Sequence, residues 1–435
     1  MSFTLMGRIG NRYSKTLCIA RATLHILAVF CSILFFPISW LLKLLGIRVF
    51  VSGTAIGHFT IEPETYLKEQ RLGRIPKYKS ILFPPFKPVI SRHPWKLNTC
   101  NDYLTHLWKQ RFWVITNPLI AFLLYPILGG PYLKKPLFFR KHWLFHQNQY
   151  WELKAGNRLF DIQAEYYKKF PTFSPAESML KIPTADEEKG RKVLSQWGIG
   201  KEDWFVCFYA REPGFYDFRD AQVQGLRYAD IDTYHLALQE ISQRGGWCIR
   251  MGSPNTKPLS TKLSQIPRII DYPHTEFVSP FMDVFLSAKC RFFLGGASGI
   301  TLLPGLFGNP SVVANLVPVN VLPPYPNDIG ILKLHYSQKK KRLLTFPEIY
   351  KTRLGMSHEN RDFEKAQIDL IDNTDEEIHE AVKEMLDRLE NRFIESDHHP
   401  QLQKRFMDRI PSEAWSKNCC ARIGAHFLNK YADLF

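Results

Sequence analysis

One stretch, residues 291–318, constrains the fold of this chain more than any other; it reads RFFLGGASGITLLPGLFGNPSVVANLVP. Residues 292–294 have the length of a buried strand. Gly295, Gly296 and Gly299 follow, so the backbone there can turn tightly with almost no side-chain bulk. Residues 300–307 then read as a short helix stopped by Gly308-Asn309-Pro310, and residues 311–315 as the next buried strand. Strand, glycine turn, helix, strand is the repeating unit of a parallel α/β sheet, whose ligands sit at the carboxyl ends of the strands. A helix N-terminus at that edge offers unpaired N–H groups and partial positive charge to an anion, and Ser298 and Gly299 are placed to present them. The spacing fits neither G-x-G-x-x-G nor G-x-x-x-x-G-K-[ST], which disfavours a dinucleotide fingerprint and a P-loop. Taken alone, the segment is as readily a turn required only for packing.

Its neighbours repeat the pattern. Residues 204–209 form a buried strand candidate that exits into Ala210-Arg211-Glu212. Residues 227–234, beginning at Arg227, lead into a helix reaching residue 243. Residues 246–250 make the next strand, leaving through Met251-Gly252, and residues 269–272, with Asp271, a short third one before a helix at 281–288. Arg211, Arg250 and Ser298 therefore fall just after strand ends on one edge of a parallel sheet. Planar guanidinium forks there suit a diphosphate, although any one arginine is as readily a structural ion pair. Two capping-box signals mark helices, Thr184 with Glu187 for residues 185–197 and Thr374 with Glu377 for residues 374–393. The Pro-, Ser- and Thr-rich residues 171–185 read as a linker.

Charge divides the chain. Residues 1–180 hold 24 Lys and Arg against 8 Asp and Glu, whereas residues 181–435 hold 33 of each, so the whole net charge of +16 lies in the first part. Such an excess attracts polyanions, either nucleic acid or an acidic lipid surface. The apolar pattern favours lipid. Residues 24–42 run for 19 positions without Asp, Glu, Lys or Arg, close to the length that crosses a bilayer. The run ends in Trp40-Leu41-Leu42 rather than a small-residue cleavage site, so it reads as a retained anchor, either spanning or bent at Pro37 into a re-entrant hairpin. Residues 112–133 form a second uncharged run, of 22 positions, broken by Pro118, Pro126 and Pro131. Lys and Arg beside Trp108, Trp113, Tyr132 and Trp143 flank it, which suits a lipid headgroup boundary better than a nucleic-acid groove.

Between these runs lies Gly53-Thr54-Ala55-Ile56-Gly57-His58, after a strand candidate at 47–51. It reads as a glycine loop that continues past Glu62 and Glu64 to a polar helix around 66–70 and a strand at 80–83. His58 is the only ionisable group on this loop ahead of the acids. Imidazole is the side chain best suited to take a hydroxyl proton near neutral pH, with Glu62 and Glu64 as alternates. A lone loop histidine is also a common structural hydrogen-bonder. The eight cysteines show no C-x-x-C pair and sit mostly in apolar runs, which argues for a reducing compartment and against a disulfide framework or zinc site.

The segments HFTIEPETYL, LRYADIDTY, WCIRMGSPNTKPL, IIDYPHTEF, FMDVFLSAKCRFFLGGASG, FGNPSVVANLVPV and TDEEIHEAVKEMLDRL occur in that order. Through them the chain resembles a bacterial family of glycosyltransferases associated with surface-polysaccharide gene clusters, strongly over residues 200–395 and more thinly over 50–180. The resemblance implies an α/β, GT-B-like fold: two Rossmann-like domains facing a cleft, here with an N-terminal membrane-anchoring segment. The corresponding layout is an anchor at 1–46, an acceptor domain at 47–180 containing the membrane-docking segment 112–133, a nucleotide-sugar domain at 181–395 and a helical tail at 396–435. It implies a donor site at Arg211, Arg227, Arg250, Gly252, Asp271, Gly296, Ser298 and Gly299, with the base at His58, Glu62 or Glu64. Where related sequences often carry a His-His pair, this one has Leu334-His335-Tyr336. The expected activity is transfer of a sugar from a nucleotide-sugar to a lipid-linked or surface glycan, without metal or cofactor, at the cytoplasmic face of the inner membrane. A sugar-nucleotide epimerase of the same fold, or a non-catalytic membrane scaffold binding a polyanion, are the rival expectations.

Overall fold

The computed structural model describes residues 41–42, 44–51, 55–83, 99–117, 120, 144–146, 158–212, 225–412 and 414–435. Most of the anchor at 1–46, and of the docking segment 112–133, lies outside them. Among the described residues no helix is long and apolar enough to cross a membrane. In chain order the described residues form strand β1 (Ile47–Val51), helix α1 (Ile56–Arg71), β2 (Lys79–Phe83), α2 (Asp102–Leu107), β3 (Trp113–Val114), β4 (Leu144–His146) and α3 (Arg158–Lys169). Contacts divide the chain into two compact units, residues 1–54 with 76–149 and residues 55–75 with 150–435. The first 180 residues thus do not stay together. Helix α1 leaves the strands that flank it in sequence and packs with α3, and the expected linker at 171–185 falls in the larger unit.

The smaller unit is built on a four-stranded parallel sheet in the order β3-β2-β1-β4. Phe50, Leu82, Leu104, Leu107 and Trp108 are buried in its core, where Phe112 stacks on Phe50 at 6.3 Å and meets Trp108 edge-on at 5.6 Å. Asn101 starts α2 by accepting the Leu104 N–H at 2.8 Å.

In the larger unit follow α4 (Thr184–Gln196), β5 (Phe205–Tyr209), α5 (His235–Gln243), β6 (Trp247–Arg250), α6 (Thr261–Ser264), β7 (Ile269–Asp271), α7 (Pro280–Lys289), β8 (Phe293–Gly295), α8 (Leu303–Leu306), β9 (Ser311–Leu316) and β10 (Ile329–Leu332). After them come β11 (Leu334–Ser337), β12 (Arg342–Leu343), α9 (Phe346–Lys351), α10 (Asn360–Ala366), β13 (Ile368–Ile371), α11 (Asp375–Leu389), α12 (His398–Arg409), β14 (Arg422–Ile423) and α13 (Ala425–Lys430). Seven strands pair in parallel in the order β14-β10-β9-β8-β5-β6-β7, and β12-β11-β13 form a small antiparallel sheet. β5 and β8 are short apolar runs buried at every residue, the pattern of strands covered on both faces, whereas β7 at the edge of the sheet is half-buried. Chain order runs outward from β5 through β6 to β7, then returns to the other side of β5 for β8, β9 and β10. The switch point of the sheet is therefore between β5 and β8, where Tyr209 pairs with Gly295.

Two local expectations change. The helix at 184 is not capped by Thr184: Pro183, at φ −59° and ψ 145°, holds the N-cap position, and Glu187 turns instead to Lys289 at 2.8 Å. The tail at 396–435 is more than helical. Its β14 joins the sheet beside β10, and Phe406 and Phe435 pack on Phe346.

Candidate functional site

Helix α1 begins at Ile56, ten residues before the polar helix expected from the sequence, so His58 lies in its first turn and not on a loop. Pro63 in its interior and the lack of an apolar stripe hide it. The helix is nonetheless buried nearly all round, including Thr60, Glu62, Glu64, Thr65, Lys68 and Glu69. Helical spacing then sorts the three candidate bases. His58 and Glu62 are four apart and share a face, whereas Glu62 and Glu64 are turned by about 200° from each other.

On the first face, His58 Nδ1 lies 2.6 Å from Glu62 Oε1; the imidazole side chain is 48% exposed and the carboxylate fully buried. Burial pulls the imidazole pKa down, but the hydrogen bond and charge of Glu62 outweigh it, and the net shift is upward from 6.5. A carboxylate on Nδ1 orients the ring and favours the tautomer in which Nε2 is the basic nitrogen.

On the opposite face Glu64 is occupied by the fold itself. It pairs with Lys68 at 2.9 Å and accepts the Tyr325 hydroxyl at 2.7 Å, with all three side chains buried. Lys68 Nζ also donates to Gln163 at 2.7 Å and Tyr167 at 2.8 Å, and lies over the rings of Tyr166, Tyr167 and Tyr325 at 5.0, 4.4 and 5.2 Å. Burial lowers the Lys68 pKa, only partly offset by Glu64. Lys68, Tyr325 and Gln163 escaped the sequence reading. Their one signal was a helix polar on every side, which must either be solvated or satisfy its polar groups internally.

The N-terminus of α1 rests directly on the glycine turn after β8. A Cβ on Gly57 would stand 2.8 Å from Gly299 Cα, and one on Gly299 would stand 2.7 Å from Gly57 N. Both contacts are backbone to backbone, so neither position has room for a larger residue. The two glycine motifs of the sequence thus meet, and residues 57–58 adjoin residues 298–299. No side chain caps α1 at Ala55. Ser298 is half-buried, and its hydroxyl makes no hydrogen bond among the described residues. Gly296 accepts Thr301 Oγ1 at 2.9 Å, tying the turn to the segment beyond it. The helix expected at 300–307 is a 3₁₀ turn (Ile300–Leu302) followed by the single turn of α8, because Pro304 and Gly305 break the run. So short an element has little macrodipole, and what the turn can offer an anion is its amides.

Arg211 is two residues past the end of β5, across the switch point from Gly296, and its guanidinium is buried. Its carbonyl accepts the Ala229 N–H at 3.1 Å, which draws the turn containing Arg227 over the same strand end. Arg250 is committed within the fold: it is buried and holds Glu212 at 2.6 Å, Asp271 at 3.2 Å and the Lys257 carbonyl at 2.6 Å. Asp271 also accepts the Leu259 N–H at 3.0 Å, and Gly252 adopts φ +155° beside Pro273. Arg211 and the turn at Gly296, Ser298 and Gly299 thus follow two neighbouring strand ends, and the Gly57–Gly299 contact sets the first turn of α1, with His58 and Glu62, against that turn. Arg250, Asp271 and Gly252 form a neighbouring structural cluster at the ends of β6 and β7. Among the described residues no group of three or more His, Cys, Asp or Glu is arranged to hold a metal ion.

No protein-family model and no curated protein matches the sequence. Among solved structures the chain is similar to a glycosyl transferase family 9 protein from Veillonella parvula DSM 2008, at 12% identity over 61% of this chain and 79% of that one, with a TM-score of 0.37. It is similar to the E. coli ADP-heptose lps heptosyltransferase II at 16% identity over 61% and 83%, with a TM-score of 0.32. A UDP-N-acetylglucosamine 2-epimerase matches at 12% identity over 81% and 98%, with a TM-score of 0.28. At TM-scores this low, the likenesses add nothing to what the chain's own residues say.

Proposed function

We propose that the chain is a membrane-associated glycosyltransferase of the GT-B type, moving a sugar from a nucleotide-sugar to an acceptor hydroxyl on a lipid-linked or surface glycan. The observation that carries this reading is the Gly57–Gly299 contact, which sets the His58–Glu62 pair beside the turn at the switch point of the parallel sheet. Ligands of open α/β sheets bind at that crevice. In this reading the donor diphosphate lies against Arg211, the Ser298 hydroxyl and the amides of the 297–299 turn, with Arg227 at the rim. His58 takes the acceptor proton, with Glu62 steadying the resulting imidazolium. The acceptor oxygen bonds to the anomeric carbon, and the carbon–oxygen bond to the diphosphate breaks as positive groups stabilise the departing charge. No metal takes part in the step. The basic first 180 residues and their two uncharged runs support an acidic membrane surface as partner, on the cytoplasmic face of the inner membrane.

Two measurements test the assignment. UDP and ADP are titrated against the full chain: Arg211→Gln is expected to weaken whichever nucleotide binds by about tenfold or more, the scale of a lost charged hydrogen bond, while His58→Gln leaves binding unchanged and abolishes nucleotide release from the donor. Equal affinity in wild type, Arg211→Gln and Ser298→Ala would remove the donor site. The base is tested by pH. A base whose pKa is raised must lose its proton, so the rate is expected to rise with pH through a limb above 6.5. Glu62→Gln removes the groups that raise that pKa and leaves the burial that lowers it. The limb should then move to lower pH as the rate falls about 10²-fold or more; an unmoved limb would separate His58 from the step.

A further inference from the structure

We infer that the smaller unit docks on an anionic lipid bilayer through the edge where the strands of its parallel sheet begin. This rests on the membrane association proposed above and not on the catalytic assignment. β1, β2 and β3 are parallel, with Ile47 opposite Lys79 and Trp113 opposite Ile81, two residues further in, so the residues entering the three strands lie toward one edge. The residues leading into β1 include Leu41, Leu44 and Leu45, which are 52%, 61% and 57% exposed; Trp113, which opens β3, is 61% exposed. Exposed Lys77 and Lys79 enter β2, and exposed Lys109 and Arg111 precede β3. The Lys79 N–H donates to the Gly46 carbonyl at 3.0 Å, and the Arg48 guanidinium lies 5.2 Å from the Tyr78 ring centre, which ties the apolar entry of β1 to the basic entry of β2. The described residues of this unit carry Arg48, Lys77, Lys79, Lys109 and Arg111 against a single acid, Asp102.

Exposed leucines and a tryptophan ringed by cations match the acyl boundary and the phosphate layer of an acidic membrane together. A soluble polyanion would satisfy the cations but would leave the leucines without a role. The run without Asp, Glu, Lys or Arg at 24–42 ends at Leu42 and enters β1 at this same edge, so the bilayer is also the occupant that chain continuity favours. The exits of β1 and β2, at Val51 and Phe83, then face away from the lipid.

Hydrogen exchange of the full chain with phosphatidylcholine vesicles, with and without phosphatidylglycerol, tests this. Peptides covering 41–48, 76–80 and 109–113 are expected to gain protection with the anionic vesicles only. That protection should weaken on the order of tenfold in lipid concentration for Lys77→Gln with Lys79→Gln, the scale of two cations near a charged surface. Leu44→Glu with Leu45→Glu should abolish it at an unchanged melting temperature. Protection absent from these three peptides, or confined to the strand exits, would overturn the docking edge. Equal protection by heparin that survives the leucine substitutions would replace it with a soluble-polyanion surface. Both variants should bind UDP and ADP as the wild type does. Lost docking with intact nucleotide binding would leave the transferase reading standing, and the reverse would leave the docking standing.

Discussion

Helices α1 and α11 lie in the same compact unit, α1 buried nearly all round and α11 along one face, and they are held by different physics. α11 carries Ile378, Ala381, Val382, Met385 and Leu386 on one stripe, packed toward α5 and β10, and a capping box fixes its first turn. Any rotation would drive that stripe into solvent, so hydrophobic burial sets its orientation. α1 has no such stripe. Its rotation is set by polar partners: Glu64 and Lys68 tied to Tyr325, Gln163 and Tyr167 on one face, and His58 with Glu62 on the other. Apolar packing tolerates adjustment, whereas a buried ion pair penalises any displacement that leaves a charge unmatched. The helix that needs the more exact aim, because it carries the candidate base, is the one held by the less forgiving contacts.

The largest expected effect breaks that network without changing its volume. Lys68→Met keeps the length of the side chain and its contact with the tyrosine rings, a swap that an apolar core would absorb at little cost. Here it strands the Glu64 carboxylate in a buried site, so unfolding free energy in urea should fall by about 3–5 kcal/mol. Adding Glu64→Gln should return a large part of the loss, because the second change removes the unmatched charge. If Lys68→Met costs less than about 1 kcal/mol, below the range for an unmatched buried charge, then α1 is positioned by its apolar residues after all and the contrast with α11 disappears.

The same contrast explains what the sequence disclosed. β5 to β9 were legible because apolar runs between glycine and polar turns have few alternatives, and α11 because its stripe and its cap agree. α1 was not, since periodicity is silent about a helix stabilised by long-range pairs such as Lys68 with Gln163 or Glu64 with Tyr325. Pro63, inside the helix, adds a residue that helices usually exclude. The strand-end positions of Arg211 and Ser298 followed from the order of elements. The commitment of Arg250 to Glu212 and Asp271 did not, because which acids reach a guanidinium depends on register across three strands. The identical Thr-x-x-Glu signal gave opposite outcomes at its two occurrences. Thr374 takes the N-cap position and caps α11, but at the other site Pro183 takes that position, so Thr184 falls inside α4 and no side chain caps it.

The smallest effect concerns that cap. The Thr374 side chain accepts the Glu377 N–H at 3.3 Å, and Glu377 returns a bond to the Thr374 N–H at 3.3 Å. Glu377 has other partners, Asn373 at 3.1 Å and Lys430 at 2.6 Å, which persist when the threonine hydroxyl is gone. Thr374→Ala therefore leaves one helix amide without its acceptor and should cost about 1 kcal/mol. The stripe keeps α11 in place, so hydrogen exchange should increase only over residues 374–378. A loss of 3 kcal/mol or more, well above the usual range for a cap, would mean that α11 depends on its polar end as α1 depends on Lys68. The two helices would then be one design at two sites.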